Sequence, residues 1–99
     1  MEIIKEGGAP ALTLKLEGRL DTSTAPELER ELKASLEGVR DLVLDLERVE
    51  YISSAGLRVL LSAQKTMNKQ GSMVVCHVCP MVREVFDLTG FSDFLTIQE

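Results

Sequence analysis

Two hydrophobic periodicities alternate along the chain, and this alternation restricts the fold more than any other feature of the sequence. Leucines alternate with polar residues over residues 11–20, which predicts a strand; the breakers over residues 6–10 predict a hairpin with a strand around Ile3-Ile4. The sequence Thr24-Ala25-Pro26-Glu27 predicts a capping box, and leucines four residues apart predict an amphipathic helix as far as Gly38.

The rest of the chain repeats this exchange of strand and helix patterns. The predicted elements are a strand at residues 41–47 with one face in water, a helix from near Gly56 to about Gln70 before Gly71, a buried strand at residues 73–78, a helix from Pro80 to Gly90 and a short strand at residues 94–97. The order is therefore β-β-α-β-α-β-α-β. It predicts a single α/β domain over residues 1–99, with a mixed five-stranded sheet, right-handed crossovers between parallel strands, and helices mainly on one face.

Charge and hydropathy exclude several classes of function. The 99 residues include 11 Lys and Arg against 16 Asp and Glu, a net charge of −5, with no basic block to grip a phosphate backbone. Nucleic acid is therefore not expected as a direct partner. No apolar run approaches the roughly 20 residues that span a bilayer, and the N-terminus lacks the layout of a signal peptide, so we expect a cytoplasmic protein without membrane insertion.

The segment Tyr51-Ile52-Ser53-Ser54-Ala55-Gly56-Leu57 is the most informative for function, because two hydroxyls and a glycine mark the change from strand to helix. One interpretation is that Ser53 or Ser54 only caps the helix, since serine is a preferred N-cap residue. The other is that the helix N-terminus holds a phosphate on such a serine. Its added charge of about −1.5 to −2 would repel a partner that docks on the bare hydroxyl.

Catalysis and metal binding find less support in the sequence. Ser54 lies outside any Gly-x-Ser-x-Gly elbow, and the one candidate base, His77, lies in a predicted strand, so we expect no catalytic residue. The segment Cys76-His77-Val78-Cys79 supplies at most three ligands, fewer than zinc normally takes, and a strand would point its two cysteines to opposite faces. We therefore expect reduced cysteines, no bound metal and no cofactor.

A docking surface is predicted where two strands end. Asp21 follows the strand at residues 11–20 and is either a turn residue before the first helix or part of a functional rim. The second interpretation requires Asp21 to lie beside Ser53 at one edge of the sheet. The predicted partner-binding residues are Asp21, Thr22, Ser53 and Ser54, extended by Arg58 one turn after Ser54.

Four segments, taken in order, resemble a known family. They are Gly18-Arg19-Leu20-Asp21, Leu44-Asp45-Leu46, Tyr51-Ile52-Ser53-Ser54-Ala55-Gly56-Leu57 and Phe86-Asp87-Leu88-Thr89-Gly90-Phe91. At these intervals they resemble the STAS domain of bacterial anti-sigma factor antagonists over nearly the whole chain. The resemblance implies a STAS-type mixed sheet and a partner-switching regulator of transcription. In that family, the unphosphorylated antagonist binds an anti-sigma factor that is a serine kinase, phosphorylation by this kinase ends the binding, and a PP2C-type phosphatase removes the phosphate; the resemblance implies the same cycle for this chain.

The resemblance also implies a phosphorylation site. The family's acceptor lies two residues before the glycine at the helix start, which corresponds to Ser54 and Gly56, so Gly56 is counted with the partner-binding residues and Ser54 is the expected N-cap. Ser53 stands where the family often has Asp, Ala55 where it has Ser or Thr, and Arg19 where it has Glu. Two other hypotheses remain open. One is a STAS subunit of a lipid-transport complex or signalling scaffold that docks without phosphorylation, and the other is an enzyme that uses Ser54.

Overall fold

The computed structural model describes residues 1–98, which form five strands and three helices. They are β1 (Glu2–Gly8), β2 (Ala11–Leu20), α1 (Ala25–Ser35), β3 (Asp41–Ile52), α2 (Ser54–Gln70), β4 (Ser72–Cys76), α3 (Pro80–Thr89) and β5 (Ile97–Gln98), with a 3₁₀ turn at Phe91–Asp93. The strands lie in the sheet in chain order, with β1 antiparallel to β2 and every later pair parallel. The predicted mixed five-stranded α/β sheet is confirmed.

The core lies on one face of the sheet, beneath the helices. Burial alternates along β2, where Leu12, Leu14 and Leu16 are buried and the residues between them are half-buried. Each buried leucine contributes about 1.5–3 kcal/mol relative to an exposed one. The helices complete this core with Leu28 and Leu32 of α1 and with Leu60, Ala63 and Met67 of α2. None of the described helices is long and apolar enough to cross a membrane.

β3 continues to Ile52, past the end of the alternation at residues 41–47. Its pairing with β2 shifts twice, between Lys15 and Glu17 and again between Gly18 and Arg19, and each shift adds one residue to β3. A bulge of this kind breaks the two-residue period on which strand prediction depends. The added length carries β3 to the edge of the sheet from which Ser53 and α2 follow.

The start of α1 differs from the predicted capping box. Thr24 is the N-cap residue, but its hydroxyl makes no bond to the first turn of the helix. It donates to the carbonyl of Arg19 at 2.6 Å and accepts from the N–H of Asp21 at 2.8 Å, so it closes the turn between β2 and α1. α1 ends at Ser35, and the chain reaches β3 through Gly38, whose φ of 79° lies in the left-handed region.

The last two strands are shorter than predicted. β4 ends at Cys76 and not at residue 78, because His77 has a φ of 55°, which extended backbone does not allow. β5 comprises only Ile97 and Gln98, since the turn at Phe91–Asp93 continues into residues predicted to be a strand.

Candidate functional site

β2 and β3 end side by side at the carboxyl edge of the sheet. Leu20 and Ile52 are paired, and the N–H of Ser53 donates to the carbonyl of Leu20 at 2.9 Å. The residues that follow the two strands, Asp21 and Ser53, therefore lie at one edge, as the docking hypothesis requires.

Ser53, and not Ser54, is the N-cap residue of α2. The Oγ of Ser53 accepts a hydrogen bond from the N–H of Gly56 at 3.4 Å, and its carbonyl accepts one from the N–H of Leu57 at 2.9 Å. The prediction that Ser54 caps the helix is therefore wrong, because the helix begins at Ser54 itself and the extended residue before it supplies the cap.

Ser54 is left exposed as the first residue of the helix. Within residues 1–98, its hydroxyl has no hydrogen-bond partner. The first turn of α2 contains no acidic residue, so no side chain of that turn offsets the positive end of the helix dipole. The arrangement provides an accessible hydroxyl at a positively polarised helix end.

Gly56 is buried beneath this helix end. A Cβ atom at this position would lie 2.7 Å from Cγ of Leu20 and 3.0 Å from the Leu20 carbonyl oxygen. The glycine therefore lets α2 approach the end of β2 closely, and it supports the surface from below. Its place among the partner-binding residues stays a prediction, and the structure shows its role in supporting that surface.

Asp21 stabilises the turn before α1 through its side chain. Its Oδ1 accepts hydrogen bonds from the hydroxyl of Ser23 at 2.8 Å, from the N–H of Ser23 at 3.0 Å and from the N–H of Thr24 at 3.1 Å. These bonds, led by the Ser23 hydroxyl, lower the pKa of Asp21 to about 2. Asp21 thus shapes the turn, and it also lies at the edge beside Ser53, the position that the functional-rim hypothesis requires.

Arg19 and Tyr51 form a contact at the same edge that the sequence analysis missed. They are paired in β2 and β3, and the guanidinium carbon of Arg19 lies 4.0 Å from the centre of the Tyr51 ring. Both residues are exposed, and Arg19 also faces the carboxylate of Asp21 at 3.6 Å. Only the pairing of β2 with β3 indicates this contact. Two bulges shift that pairing, so the sequence alone does not predict which residues face each other.

Thr22 and Arg58 lie together on the helix side of this edge. They line an open depression of about 260 Å³ between the first turns of α1 and α2, whose other walls are Ala25, Pro26, Glu29, Ala55 and Val59. Ser54 itself does not line this depression, but Ala55, the next residue of α2, does. We call the surface formed by Asp21, Thr22, Ser53, Ser54 and Arg58 the rim surface.

The segment at residues 76–79 does not bring its two cysteines together. The thiol of Cys79, at the start of α3, donates to the carbonyl of Val49 at 3.5 Å. Cys76 lies instead beside His77 and Asp45: Nδ1 of His77 is 3.5 Å from the Cys76 sulfur and 3.1 Å from Oδ1 of Asp45. Burial, together with the Asp45 carboxylate, raises the pKa of the Cys76 thiol. Both cysteines are free.

Comparison with known proteins identifies the family. A family model for the STAS domain matches residues 2–99. The chain is also 49% identical over 78 residues to a Bordetella bronchiseptica protein named as anti-sigma factor antagonist BtrV. This alignment covers 77% of the present chain and 67% of that protein.

Solved structures share the fold. An anti-sigma factor antagonist from Mycobacterium paratuberculosis is similar with a TM-score of 0.87 at 27% identity, over 97% of this chain and 83% of that one. The Bacillus cell fate determinant SpoIIAA in its phosphorylated form gives a TM-score of 0.75 at 17% identity, over 99% of this chain and 92% of that one, a likeness of fold alone. The names of the relatives describe antagonists, which confirms the prediction of a regulator that is not an enzyme. The chain therefore belongs to the STAS domain family of bacterial anti-sigma factor antagonists.

Proposed function

We propose that this chain binds an anti-sigma factor through the rim surface and that phosphorylation of Ser54 ends the binding. The observation that carries the proposal is the position of Ser54, an exposed residue at the start of α2, directly after the cap that Ser53 provides. A kinase can reach this hydroxyl while the side chain of Ser53 continues to cap the helix. The partner is a serine kinase anti-sigma factor in the bacterial cytoplasm, and a PP2C-type phosphatase reverses the modification.

The fold accommodates a phosphate at Ser54. The N–H groups in the first turn of a helix lack partners within the helix, and the dipole favours an anion there by about 0.3–1 kcal/mol. The first turn of α2 contains no competing acidic residue, and Arg58 lies one turn further along. The bond between Ser53 and Gly56 does not involve the modified side chain. We therefore expect the phosphorylated protein to keep its fold.

The same phosphate opposes docking. It adds about −1.5 to −2 charges and three strongly hydrated oxygens. A partner that packs on the bare hydroxyl would have to remove this hydration and tolerate the charge, and each loss of about 1.4 kcal/mol in binding free energy is tenfold in affinity. We expect phosphorylation to weaken binding by about a hundredfold or more, which corresponds to roughly 3 kcal/mol.

Phosphate mapping tests the assignment of Ser54. The protein is incubated with ATP and its cognate anti-sigma factor kinase, and tandem mass spectrometry locates the phosphate. We expect it on Ser54 in the wild type and in Ser53→Asn, a matched control, because asparagine caps a helix as well as serine does and cannot be phosphorylated. Phosphate on Ser53 and not on Ser54 contradicts the assignment.

Binding measurements on variants of Ser54 test the switch itself. Ser54→Ala should bind the anti-sigma factor like the wild type and take up no phosphate. Ser54→Asp should bind more weakly, because it places a negative charge at the start of α2. Tight binding by the phosphorylated wild type would overturn the switch.

A STAS subunit that docks without phosphorylation is the second candidate function. It is favoured by Ser53, which stands where the family often has Asp, and by Ala55, which stands where it has Ser or Thr. If neither serine accepts phosphate from the cognate kinase, this second function replaces the first. The rim surface then serves as a constitutive interface.

A further inference from the structure

Asp45, Cys76 and His77 form a cluster of three different ligand types, away from the rim surface. Asp45 in β3 and Cys76 at the end of β4 are direct neighbours across the sheet, and His77 follows Cys76. The carboxylate oxygen, the thiol sulfur and the imidazole nitrogen all lie within 4.8 Å of one another. Cys79, the other cysteine of the segment, is turned away towards the carbonyl of Val49.

The spacing of these atoms suits tetrahedral coordination. With metal bonds of about 2.0–2.1 Å to nitrogen, about 2.3 Å to sulfur and about 2.0–2.2 Å to oxygen, tetrahedral angles place nitrogen about 3.6 Å from sulfur and about 3.3 Å from oxygen. The observed distances from Nδ1 of His77 are 3.5 Å to the Cys76 sulfur and 3.1 Å to Oδ1 of Asp45. The Cys76 sulfur and the Asp45 carboxylate oxygen lie within 4.8 Å of each other, so the ring nitrogen is at coordination spacing from both and the sulfur–oxygen pair is the one that has to adjust.

The backbone holds the cluster in this arrangement. The left-handed φ of 55° at His77 ends β4 and turns the chain where the ring meets Asp45. The N–H of Glu47 donates to Oδ1 of Asp45 at 3.0 Å and fixes the carboxylate. Bonds of this kind to a ligand's own oxygen orient it for metal binding.

The nearly buried carboxylate of Asp45 is also compatible with a bound cation. Asp45 is only 8% exposed, and buried carboxylates are paired with a positive group or bind a metal. Among residues 1–98, the basic side chain within ion-pair distance of Asp45 is the imidazole of His77, and not a Lys or Arg. The His77 side chain is 61% exposed, so an ion can enter from solvent.

We propose that Asp45, Cys76 and His77 bind one Zn²⁺ ion or a similar divalent transition metal, with the fourth coordination position open to water. A mixed set of sulfur, nitrogen and oxygen donors suits Zn²⁺, whereas Mg²⁺ and Ca²⁺ take oxygen ligands. The expectation of no bound metal considered only ligands from residues 76–79. The structure replaces Cys79 with Asp45, which lies far away in the sequence. The proposal is independent of the function proposed for the rim surface.

Titration of the reduced full chain with Co²⁺ tests the proposal, because a cobalt–thiolate bond gives a charge-transfer absorption that reports on a cysteine ligand directly. Competition with Zn²⁺, followed by calorimetry, gives the affinity. We expect one ion per chain and a charge-transfer band that Zn²⁺ abolishes. The absence of one-to-one binding at micromolar metal would overturn the site.

Variants assign the ligands. Cys76→Ser, Asp45→Asn and His77→Asn should each weaken Zn²⁺ binding by about tenfold or more, since loss of even an outer partner of a ligand costs this much. Asparagine at position 77 tolerates the left-handed backbone, and at position 45 it keeps an acceptor for the N–H of Glu47. Cys79→Ser is the matched control and should bind within about twofold of the wild type, well below the change that loss of a ligand causes.

The variants also provide the outcomes that decide against the site. A cobalt–thiolate band that survives in Cys76→Ser but disappears in Cys79→Ser would transfer the thiolate to Cys79 and overturn the proposed ligand set. Unchanged Zn²⁺ affinity in both His77→Asn and Cys76→Ser would do the same. Far-ultraviolet circular dichroism confirms that each variant is folded. Cys76 is only partly buried, so Cys76→Ser decides the matter even if Asp45→Asn fails to fold.

Discussion

The turn before α1 stabilises the ionised form of Asp21. Its carboxylate accepts hydrogen bonds from Ser23 and Thr24, which lower its pKa from 3.8 to about 2. Because the pKa is lower in the folded state than in the unfolded state, the resulting stability is fully present above pH 3.8. It is lost as the pH falls through the folded value of about 2.

Replacement of this carboxylate should therefore make the free energy of unfolding depend less on pH in the acidic range. We expect Asp21→Asn, which keeps an acceptor oxygen but does not titrate, to lose less free energy of unfolding than the wild type between about pH 5 and about pH 2. Urea unfolding at several pH values measures the difference. Asp87, whose pKa is lowered by Ser92 and Arg83, is present in both proteins, so the comparison isolates Asp21. If the free energy of unfolding depends on pH in the same way in the wild type and in Asp21→Asn, the stability of the turn does not depend on this charge.

Single residues also show how far sequence analysis reaches. The cap at Ser53 and the stop at Gly90 depend on a few neighbouring residues, so local patterns predict them or come within one position. The pair Arg19 and Tyr51 and the cluster around Asp45 depend on which residues face each other across strands. The sequence does not display that pairing, and both features were missed.

The packing of α2 against the end of β2 depends on the small size of Gly56. A methyl group there would meet Leu20 at 2.7 Å from Cγ and 3.0 Å from the carbonyl oxygen. In an unconstrained helix, Gly→Ala stabilises by up to about 1 kcal/mol. Overpacking against Leu20 opposes this gain, and we expect Gly56→Ala to lower the free energy of unfolding by about 1–3 kcal/mol.

The matched control for this prediction is Gly8→Ala. Gly8 lies at the end of β1, and a Cβ atom there would have no neighbour within 4 Å. We expect its free energy of unfolding to stay within about 0.5 kcal/mol of the wild type. Urea unfolding compares the two variants. A stabilised Gly56→Ala would mean that the contact between α2 and β2 relaxes at no cost.

The elements themselves were predictable where one period persists. β2 keeps its alternation throughout, and α2 keeps one apolar face from Leu57 to Met67, so both were found. β3 loses the two-residue period at its bulges, and β5 has only two residues, so the extent of both was misjudged. Bulges depend on pairing with a neighbouring strand, and hydrophobic periodicity within one strand does not reveal them.

The molecule as a whole carries its two candidate sites at different places along β3. The rim surface follows the end of β3 at Ile52, whereas the cluster around Asp45 lies seven residues earlier, where the shorter β4 stops. The difference in strand length thus places the proposed docking surface and the proposed metal site at different positions along β3. The chain has a net charge of −5, and Arg58 is the basic residue of the rim surface, where it is exposed.

Charge reversal on α2 tests where the partner docks. Arg58 and Lys69 are both exposed on this helix, 11 residues and hence about 16 Å apart along its axis. Arg58→Glu and Lys69→Glu change the net charge equally, so a general attraction for the partner would be weakened equally in both. Salt screens charges over about 8 Å at physiological ionic strength, so only a charge close to the interface acts strongly.

We therefore expect Arg58→Glu to weaken binding of the anti-sigma factor by about tenfold or more, and Lys69→Glu by less than about twofold. Calorimetry at physiological salt measures both affinities, and circular dichroism confirms that Lys69→Glu, which reverses a charge in the last turn of α2, is folded. Equal losses would place the interface elsewhere on the molecule. A loss confined to Arg58→Glu ties docking to the helix end that carries Ser54, which is where a phosphate must lie to control it.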